Sequence, residues 1–289
     1  MCTSKSIEVI DVPPSILEKG TVLVEVYYSF ISTGTELATL RALGLGNSEN
    51  KGFSQNISES KELIQKVVNY LRERGIRKTV ERVFSRISHD NVNSDRLVTL
   101  GYSCSGRVVS VGDGVKGFTV GDLVACSGAN RATHSELVVV PENLVVPIPQ
   151  GCPIKDASSV AVGAIAMQAV RRTGVALGES VAVIGLGLVG LLSAKMLQCA
   201  GARILGFDID ESRVDKAKAL GINEACSEAA DIQRTVNNFT RKMGVDVCLV
   251  AAGSKDNSIL QTATEITRKK GRVVIVGLVP MQFDINPFL

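Results

Sequence analysis

The run Val181-Ala182-Val183-Ile184 passes directly into Gly185-Leu186-Gly187-Leu188-Val189-Gly190 and then into LLSAKMLQCA. An apolar, β-branched run, three glycines spaced G-x-G-x-x-G and an apolar helical pattern leave few ways for this chain to fold. The first glycine permits a tight turn out of a strand. The second carries no side chain to hold a ligand away, and the third lets the helix approach the strand closely. A helix starting there turns unpaired N–H groups and its positive dipole end toward an anion. The motif therefore predicts a pyrophosphate site formed by Gly185, Leu186, Gly187, Leu188, Val189 and Gly190. Residues 181–194 are uncharged and nearly all apolar, but the stretch is shorter than the ~20 residues a membrane helix needs.

Strand and helix patterns alternate from residue 152 onward. VAVIG, RILGFD, DVCLVAAG and GRVVIVGL read as strands, separated by helical stretches near 188–200, 211–220, 230–242 and 256–269. Strands alternating with helices of this length predict a doubly wound parallel α/β sheet of the Rossmann type over residues 151–289. RILGFD ends in Asp208, 18 residues beyond Gly190, close to the spacing of about 20 expected for the carboxylate that holds the adenosine ribose hydroxyls. A carboxylate there repels a 2′-phosphate, so the expected cofactor is NAD. Asp208 could instead cap the next helix, although Asp210 or Ser212 could fill that role. Arg213 either flanks the adenosine or faces solvent. Gly253 and Gly277, closing the last two strand runs, complete the expected cofactor-binding set.

Bulk composition narrows the remaining classes. The net charge of +3 over 289 residues is too small to indicate nucleic acid or an anionic membrane as partner. Aromatic residues make up 4% and Trp is absent, so the core must be Val, Ile, Leu and Ala, which suits buried parallel strands. The seven cysteines include no Cys-x-x-Cys pair, so neither a zinc ribbon nor a redox dithiol is indicated. Several sit in apolar runs, where Cys behaves as a small hydrophobe, and a reducing, cytoplasmic setting is expected. The segment MCTSKSIEVIDVPP lacks the apolar centre of a signal peptide.

The first 150 residues have a different texture. TVLVEVYY, GRVVSVG, GDLVACSG and SELVVVPENLVVPIP are short Val-rich runs bounded by Gly, Asp and Pro, which predicts a compact β unit over residues 1–43 and 97–150. Residues 44–96 interrupt it with a polar loop and a helical pattern. Leu63, Val67 and Leu71 share one face there, and Ile76, Val80, Val83, Phe84 and Ile87 another. Eight basic and four acidic residues lie between Glu59 and Arg86, a solvated face or a basic surface guiding an anionic substrate.

With these motifs in place, the chain resembles the medium-chain dehydrogenase/reductase superfamily over residues 1–43 and 97–289. The order is that family's: a GroES-like β-barrel, here with a helical insert, followed by a Rossmann domain with a G-L-G-x-V-G loop. GYSCSGRVVSVGDGVKGFTVGDLVA looks like the family's G-H-E-x-x-G-x-V-x-x-V-G…F-x-x-G-D-x-V segment. The departures concern metal. Zinc members carry Cys before Gly-Ser/Thr-Asp, whereas this chain has Thr33-Gly34-Thr35-Glu36; they carry His-Glu after the glycine that Gly101 matches, whereas this chain has Tyr102-Ser103. Neither Cys nor His falls near Val160–Val162, where the third ligand belongs, and the four-cysteine lobe is missing. No metal site is therefore expected. Ile31-Ser32-Thr33-Gly34-Thr35-Glu36 and the insert look like a bacterial subgroup fused to a second module of the Gfo/Idh/MocA type, often associated with surface-polysaccharide synthesis. A related Ser-Thr-Gly-Thr-Glu segment occurs in bacteriochlorophyllide dehydrogenases. Family members continue beyond the strand GRVVIVGL with elements that complete the barrel, so the resemblance implies an incomplete barrel here. It also implies a homodimer through that strand.

The resemblance implies zinc-independent hydride transfer between NAD(H) and an alcohol, ketone or enone, with a sugar-derived metabolite as one such substrate. Without zinc, a side-chain donor must stabilise charge on the substrate oxygen. Thr35 matches the relay hydroxyl of zinc members, Tyr102 replaces a zinc ligand, and Glu36 is the nearest carboxylate; these three are the catalytic candidates. Each has an alternative role: Thr35 and Ser32 bonding backbone in a turn, Tyr102 packing, Glu36 pairing with Arg107 or another base. His89 and His134 read as structural. A nucleotide-binding scaffold without catalysis, or a fragment of a larger two-module oxidoreductase, remains the alternative function.

Overall fold

The computed structural model describes residues 7–13, 15–42, 98–222, 224–227, 232–254 and 257–281. The expected helical insert at 44–96 and His89 lie outside them. The chain forms two compact units, Met1–Ser158 and Ser159–Leu289. The division falls eight residues beyond the boundary expected at 150.

The first unit is a five-stranded, half-barrel antiparallel sheet. Strands β1 (Thr21–Ser29), β2 (Ser103–Val111), β3 (Leu123–Ser127), β4 (Leu137–Pro141) and β5 (Val145–Pro147) lie in the order β4-β1-β2-β3-β5. Alternation in the Val-rich runs places Val22, Val24, Cys104, Val108, Val124, Cys126, Val138 and Val140 in one core. Cys104 and Cys126 oppose each other across β2 and β3. A hydrogen bond to Cys104, and then burial, push the Cys126 thiol well above its usual range. Two buried serines of β2 tie the sheet to the segment that follows it. Ser103 donates to the Ser158 carbonyl, and Ser105 to that of Ile154 in the short helix α2 (Ile154–Ala157).

The expectation of strands and turns alone over 1–43 needs correction. Helix α1 (Thr33–Ala42) follows β1. Glu36, in its first turn, reaches back to accept the Ser32 N–H at 2.9 Å, satisfying a donor left over at the helix start.

In the second unit, β6 (Ser180–Ile184), β7 (Arg203–Phe207), β8 (Glu224–Cys226), β9 (Val245–Val250) and β10 (Thr267–Ile275) form a parallel sheet in the order β10-β9-β6-β7-β8. Successive residues of each strand enter opposite cores: Val181, Val183, Val247 and Leu249 in one, Ala182, Ile184, Cys248 and Val250 in the other. Burial on both faces explains why these strands read as continuous apolar runs. Helices α3 (Val160–Thr173), α4 (Leu188–Cys199), α5 (Glu211–Ala219), α6 (Ile232–Thr240) and α7 (Ser258–Ile266) accompany them. The chain turns back between β6 and β9, which sets the switch-point crevice beyond their carboxyl ends.

Helix α3 was not legible in the sequence, because its buried face of Ala161, Val162, Ala166, Ala169 and Thr173 is made of small residues without a strong apolar period. The helix expected over 256–269 ends at Ile266 and β10 begins at Thr267. An irregularity in β10 between Thr267 and Arg272 accommodates the early start. It needs Gly271, where a Cβ would stand 2.4 Å from Thr267 Cγ2 and 2.9 Å from the Asp246 carbonyl. Among the described residues no helix is long and apolar enough to cross a membrane.

At the opposite end of the parallel sheet, Asp246 pins three strands. It accepts the Ser180 N–H and hydroxyl at 2.7 Å each and the Arg268 Nε–H at 2.6 Å. Burial would raise its pKa, but the bonds from Ser180 and Arg268 outweigh it and hold the carboxyl below its usual value. A depressed folded value contributes stability above the unfolded pKa of about 3.9 and loses it as pH falls through the folded value. Asp246→Asn is expected to cost about 1–2 kcal/mol at pH 7. Urea melts at pH 7 and pH 3 should show the gap to wild type closing in acid. A gap that stays constant refutes the assignment.

Candidate functional site

The glycine loop is built by three different constraints. Gly185 leaves β6 at φ +96° with its N–H on the Phe207 carbonyl at 2.7 Å, and a Cβ there would stand 2.6 Å from the Ala252 nitrogen. Gly190 lies in the first turn of α4, where a Cβ would stand 1.8 Å from the Gly185 carbonyl. Gly187 differs: a Cβ there meets nothing within 4 Å. The protein's own packing demands glycine at 185 and 190, but at 187 it leaves open space of the kind a ligand would occupy. The first bond into α4 runs from the Leu191 N–H to the Gly187 carbonyl at 2.8 Å. The N–H groups of Leu188, Val189 and Gly190 therefore precede the helical ladder and are donors for an anion.

Asp208 stands at the end of β7 with 4% of its side chain exposed. Oδ2 accepts the Leu186 N–H at 2.7 Å and Arg213 Nη1 at 3.3 Å, and Oδ1 accepts the Asp210 N–H at 3.0 Å. Asp210, not Asp208, caps α5 by accepting the Ser212 N–H. A carboxylate offers about four lone-pair positions, so Asp208 retains acceptor capacity after its three bonds. Arg213 bridges Asp208 and Asp210 and is half exposed.

Three of the expected cofactor residues have roles within the chain itself. Leu186 is fully buried in the core and its N–H is taken by Asp208; it orients the carboxylate. Gly277 is glycine because a Cβ would stand 1.9 Å from the Ala252 carbonyl, which is a packing demand between the ends of β9 and β10. Gly253 would place a Cβ at ordinary contact distance, 3.5 Å, from the Leu278 carbonyl. Both glycines follow the strand ends beside the crevice, and packing demands glycine at 277 but not at 253.

In the first unit a polar cluster gathers at the start of α1. His134 Nδ1 lies 2.9 Å from Ser29 Oγ, and Nε2 lies 3.2 and 3.3 Å from the two Glu36 oxygens. Gly101 backs the imidazole at φ +90°, where a Cβ would stand 2.9 Å from Nδ1. Glu36 is buried, its partner is His134, and Arg107 instead bonds the Tyr27 hydroxyl. Thr35 is exposed and its hydroxyl lies 3.4 Å from Ser32 Oγ. Tyr102 is half-buried, and its carbonyl accepts the Gly128 N–H at 2.9 Å. The structure thus joins His134 to Glu36 and Ser29, partners 98 and 105 positions away that the sequence reading did not connect.

Zinc needs three or four N, S or O ligands. Among the described residues no group of three His, Cys, Asp or Glu side chains is arranged to hold a metal ion. His134 and Glu36 are two side chains already bonded to each other, one ligand short of a zinc set among the described residues.

Comparison with known proteins agrees with this architecture. The family described as alcohol dehydrogenase GroES-like domain matches residues 76–150, and that described as zinc-binding dehydrogenase matches residues 189–289. The (R,R)-butanediol dehydrogenase of Bacillus subtilis is 31% identical over 225 residues, 69% of this chain and 64% of the relative. The sorbitol dehydrogenase of Halalkalibacterium halodurans is 29% identical over 211 residues, 63% of this chain and 61% of the relative. The chain thus matches less than two thirds of the length of these curated relatives. Among solved structures, an alcohol dehydrogenase superfamily protein from Novosphingobium aromaticivorans superposes with a TM-score of 0.71 at 19% identity, covering 99% of this chain and 73% of that one. A GroES-like half-barrel sheet and a parallel sheet with a dinucleotide loop define an α/β chain of the dehydrogenase type. Both family matches and these relatives support the medium-chain dehydrogenase/reductase superfamily for this chain.

Proposed function

We propose that this chain is a zinc-independent, NAD(H)-dependent oxidoreductase acting on an alcohol or ketone. The observation that carries the reading is Asp208: a buried carboxylate at the end of β7, held by the Leu186 N–H and retaining acceptor capacity for a ribose hydroxyl. It would reject a 2′-phosphate by charge. The N–H groups of Leu188, Val189 and Gly190 would hold the pyrophosphate, and the open face of Gly187 would let it approach. The cofactor, when bound, supplies the hydride chemistry. Names of the relatives, sorbitol and butanediol dehydrogenases, support a polyol or vicinal diol as substrate class. Thr35 and Tyr102 carry the hydroxyls proposed to polarise the substrate oxygen, in place of a metal. The sequence resemblance to bi-domain bacterial oxidoreductases supports a reading in which the natural protein carries a second module.

Fluorescence titration of chelator-treated protein tests this directly. Saturable NADH binding is expected, unchanged by added zinc, with NADPH at least about tenfold weaker, as one unpaired charge contact would give. Preference for NADPH, or stoichiometric zinc that restores binding, overturns it.

A further inference from the structure

Six basic side chains gather around the starts of β6, β9 and β10, at the end of the parallel sheet opposite the glycine loop. Arg171 and Arg172 lie in the last turn of α3, Arg241 and Lys242 follow α6, and Lys269 and Lys270 lie in the first half of β10. All six are exposed. Contacts at this end bring the segments together: Arg272 of β10 donates to the carbonyl of Gly174, which closes α3, and Arg268 bonds Asp246 of β9. The carboxylates described here are Glu179, Asp246 and Glu265. Arg268 and Arg272 already neutralise the first two, and none of the six cations makes an ion pair among the described residues. The net charge of +3 over the whole chain does not show this segregation.

Two further features set this end apart from a merely solvated face. Leu177, in the connection from α3 to β6, is 86% exposed, and Met243, in the connection from α6 to β9, is 70% exposed. Two large apolar side chains thus stand in water among the cations. Among the described residues four non-glycine positions have positive φ, and three of them are Arg241 (+55°), Lys242 (+66°) and Lys270 (+61°). The fourth is Asn130, a residue type that tolerates this region; Arg and Lys do not. Glycine would end α6 and turn the start of β10 without strain. Complementing a helix dipole accounts for cations in a last turn, as at Arg171 and Arg172. It accounts for neither the left-handed cations nor the apolar tips.

We propose that this end of the parallel-sheet unit is a docking face for an anionic lipid surface. Cations close to such a surface are attracted by its negative potential, and apolar side chains projecting beside them enter the interface. Single-stranded nucleic acid would ask instead for open aromatic platforms, and the Phe239 ring, near the end of α6, is covered by the Arg203 guanidinium at 4.3 Å. The attachment is peripheral. It leaves the glycine loop, at the carboxyl ends of the same strands, facing away from the lipid and open to a soluble cofactor. The inference stands apart from the cofactor and substrate reading above.

Flotation of the full chain with phosphatidylcholine vesicles, with and without phosphatidylglycerol, tests the proposal. The chain should float with the anionic vesicles at low ionic strength, stay behind with the neutral ones and be released as salt rises. Lys269→Glu combined with Lys270→Glu should weaken partition at least about tenfold. Leu177→Ser combined with Met243→Ser leaves every charge in place and should also weaken it about tenfold. Lys242→Gly should raise the Tm by relieving the left-handed backbone while weakening vesicle binding, a split that a purely structural residue would not give. Thermal melts of each variant verify that it is folded. Equal binding to neutral and anionic vesicles, or anionic-vesicle binding that survives both double variants, overturns the proposal. So does retention of single-stranded RNA or an acidic polypeptide by a chain that ignores the vesicles.

Discussion

Placing alanine at Gly190 should unfold the parallel-sheet unit or lower its stability by about 3 kcal/mol, whereas valine at Gly187 should leave it folded and unable to bind NADH. The two positions share one motif but answer to different constraints. At 190 the added Cβ falls 1.8 Å from the Gly185 carbonyl, so either α4 or the end of β6 must shift. Overpacking that moves backbone sits at the costly end of single substitutions, and a loss of that size lowers Tm by about 10 °C in a unit this large. At 187 an added side chain meets no protein atom within 4 Å. Glycine is a better N-cap than valine, which sets a stability loss of about 1 kcal/mol at most. Thermal melts and NADH titrations of both variants check the contrast. Gly187→Val protein that binds NADH like wild type would remove the loop from the cofactor site.

The second large effect falls on Asp208. Asp208→Ala strips the acceptor from the N–H of Leu186, a residue with 0% exposure, and that orphaned donor should cost about 1–3 kcal/mol. Asp208→Asn keeps an oxygen for that N–H and separates the two roles. It should stay near wild-type stability, weaken NADH at least about tenfold and leave NADPH nearly unaffected, so that the preference collapses. Undiminished NADH affinity in Asp208→Asn would mean that the carboxylate serves the loop alone.

The parallel sheet was the most legible part of the chain, because strands buried on both faces write themselves as apolar runs and the glycine spacing fixes where one of them turns. Asp208 was found by counting from Gly190. The bond from Leu186 to Asp208 and the packing of Gly277 on Ala252 were not legible, because a motif gives position along the chain but not which way an N–H or a missing Cβ points. Helix α1 was missed although Thr33-Gly34-Thr35-Glu36 contains the spacing of a capping box; Ser32 and Thr35 read instead as hydroxyls bonding backbone in a turn. The contacts of His134 were not recognisable, since Glu36 and Ser29 are brought to it only by α1 and β1.

The buried thiols of the two units have a practical use. Cys104 and Cys126 sit inside the antiparallel sheet's core and Cys248 inside the parallel sheet's, while Cys152 and Cys199 are exposed. Mutual hydrogen bonding and burial at Cys126, and burial at Cys248, hold those sulfurs in the unreactive thiol form. An alkylating reagent will therefore mark the surface pair at once and the core sulfurs only as each unit opens. The chain carries its own clock for unfolding, one for each unit, readable by mass without any introduced label.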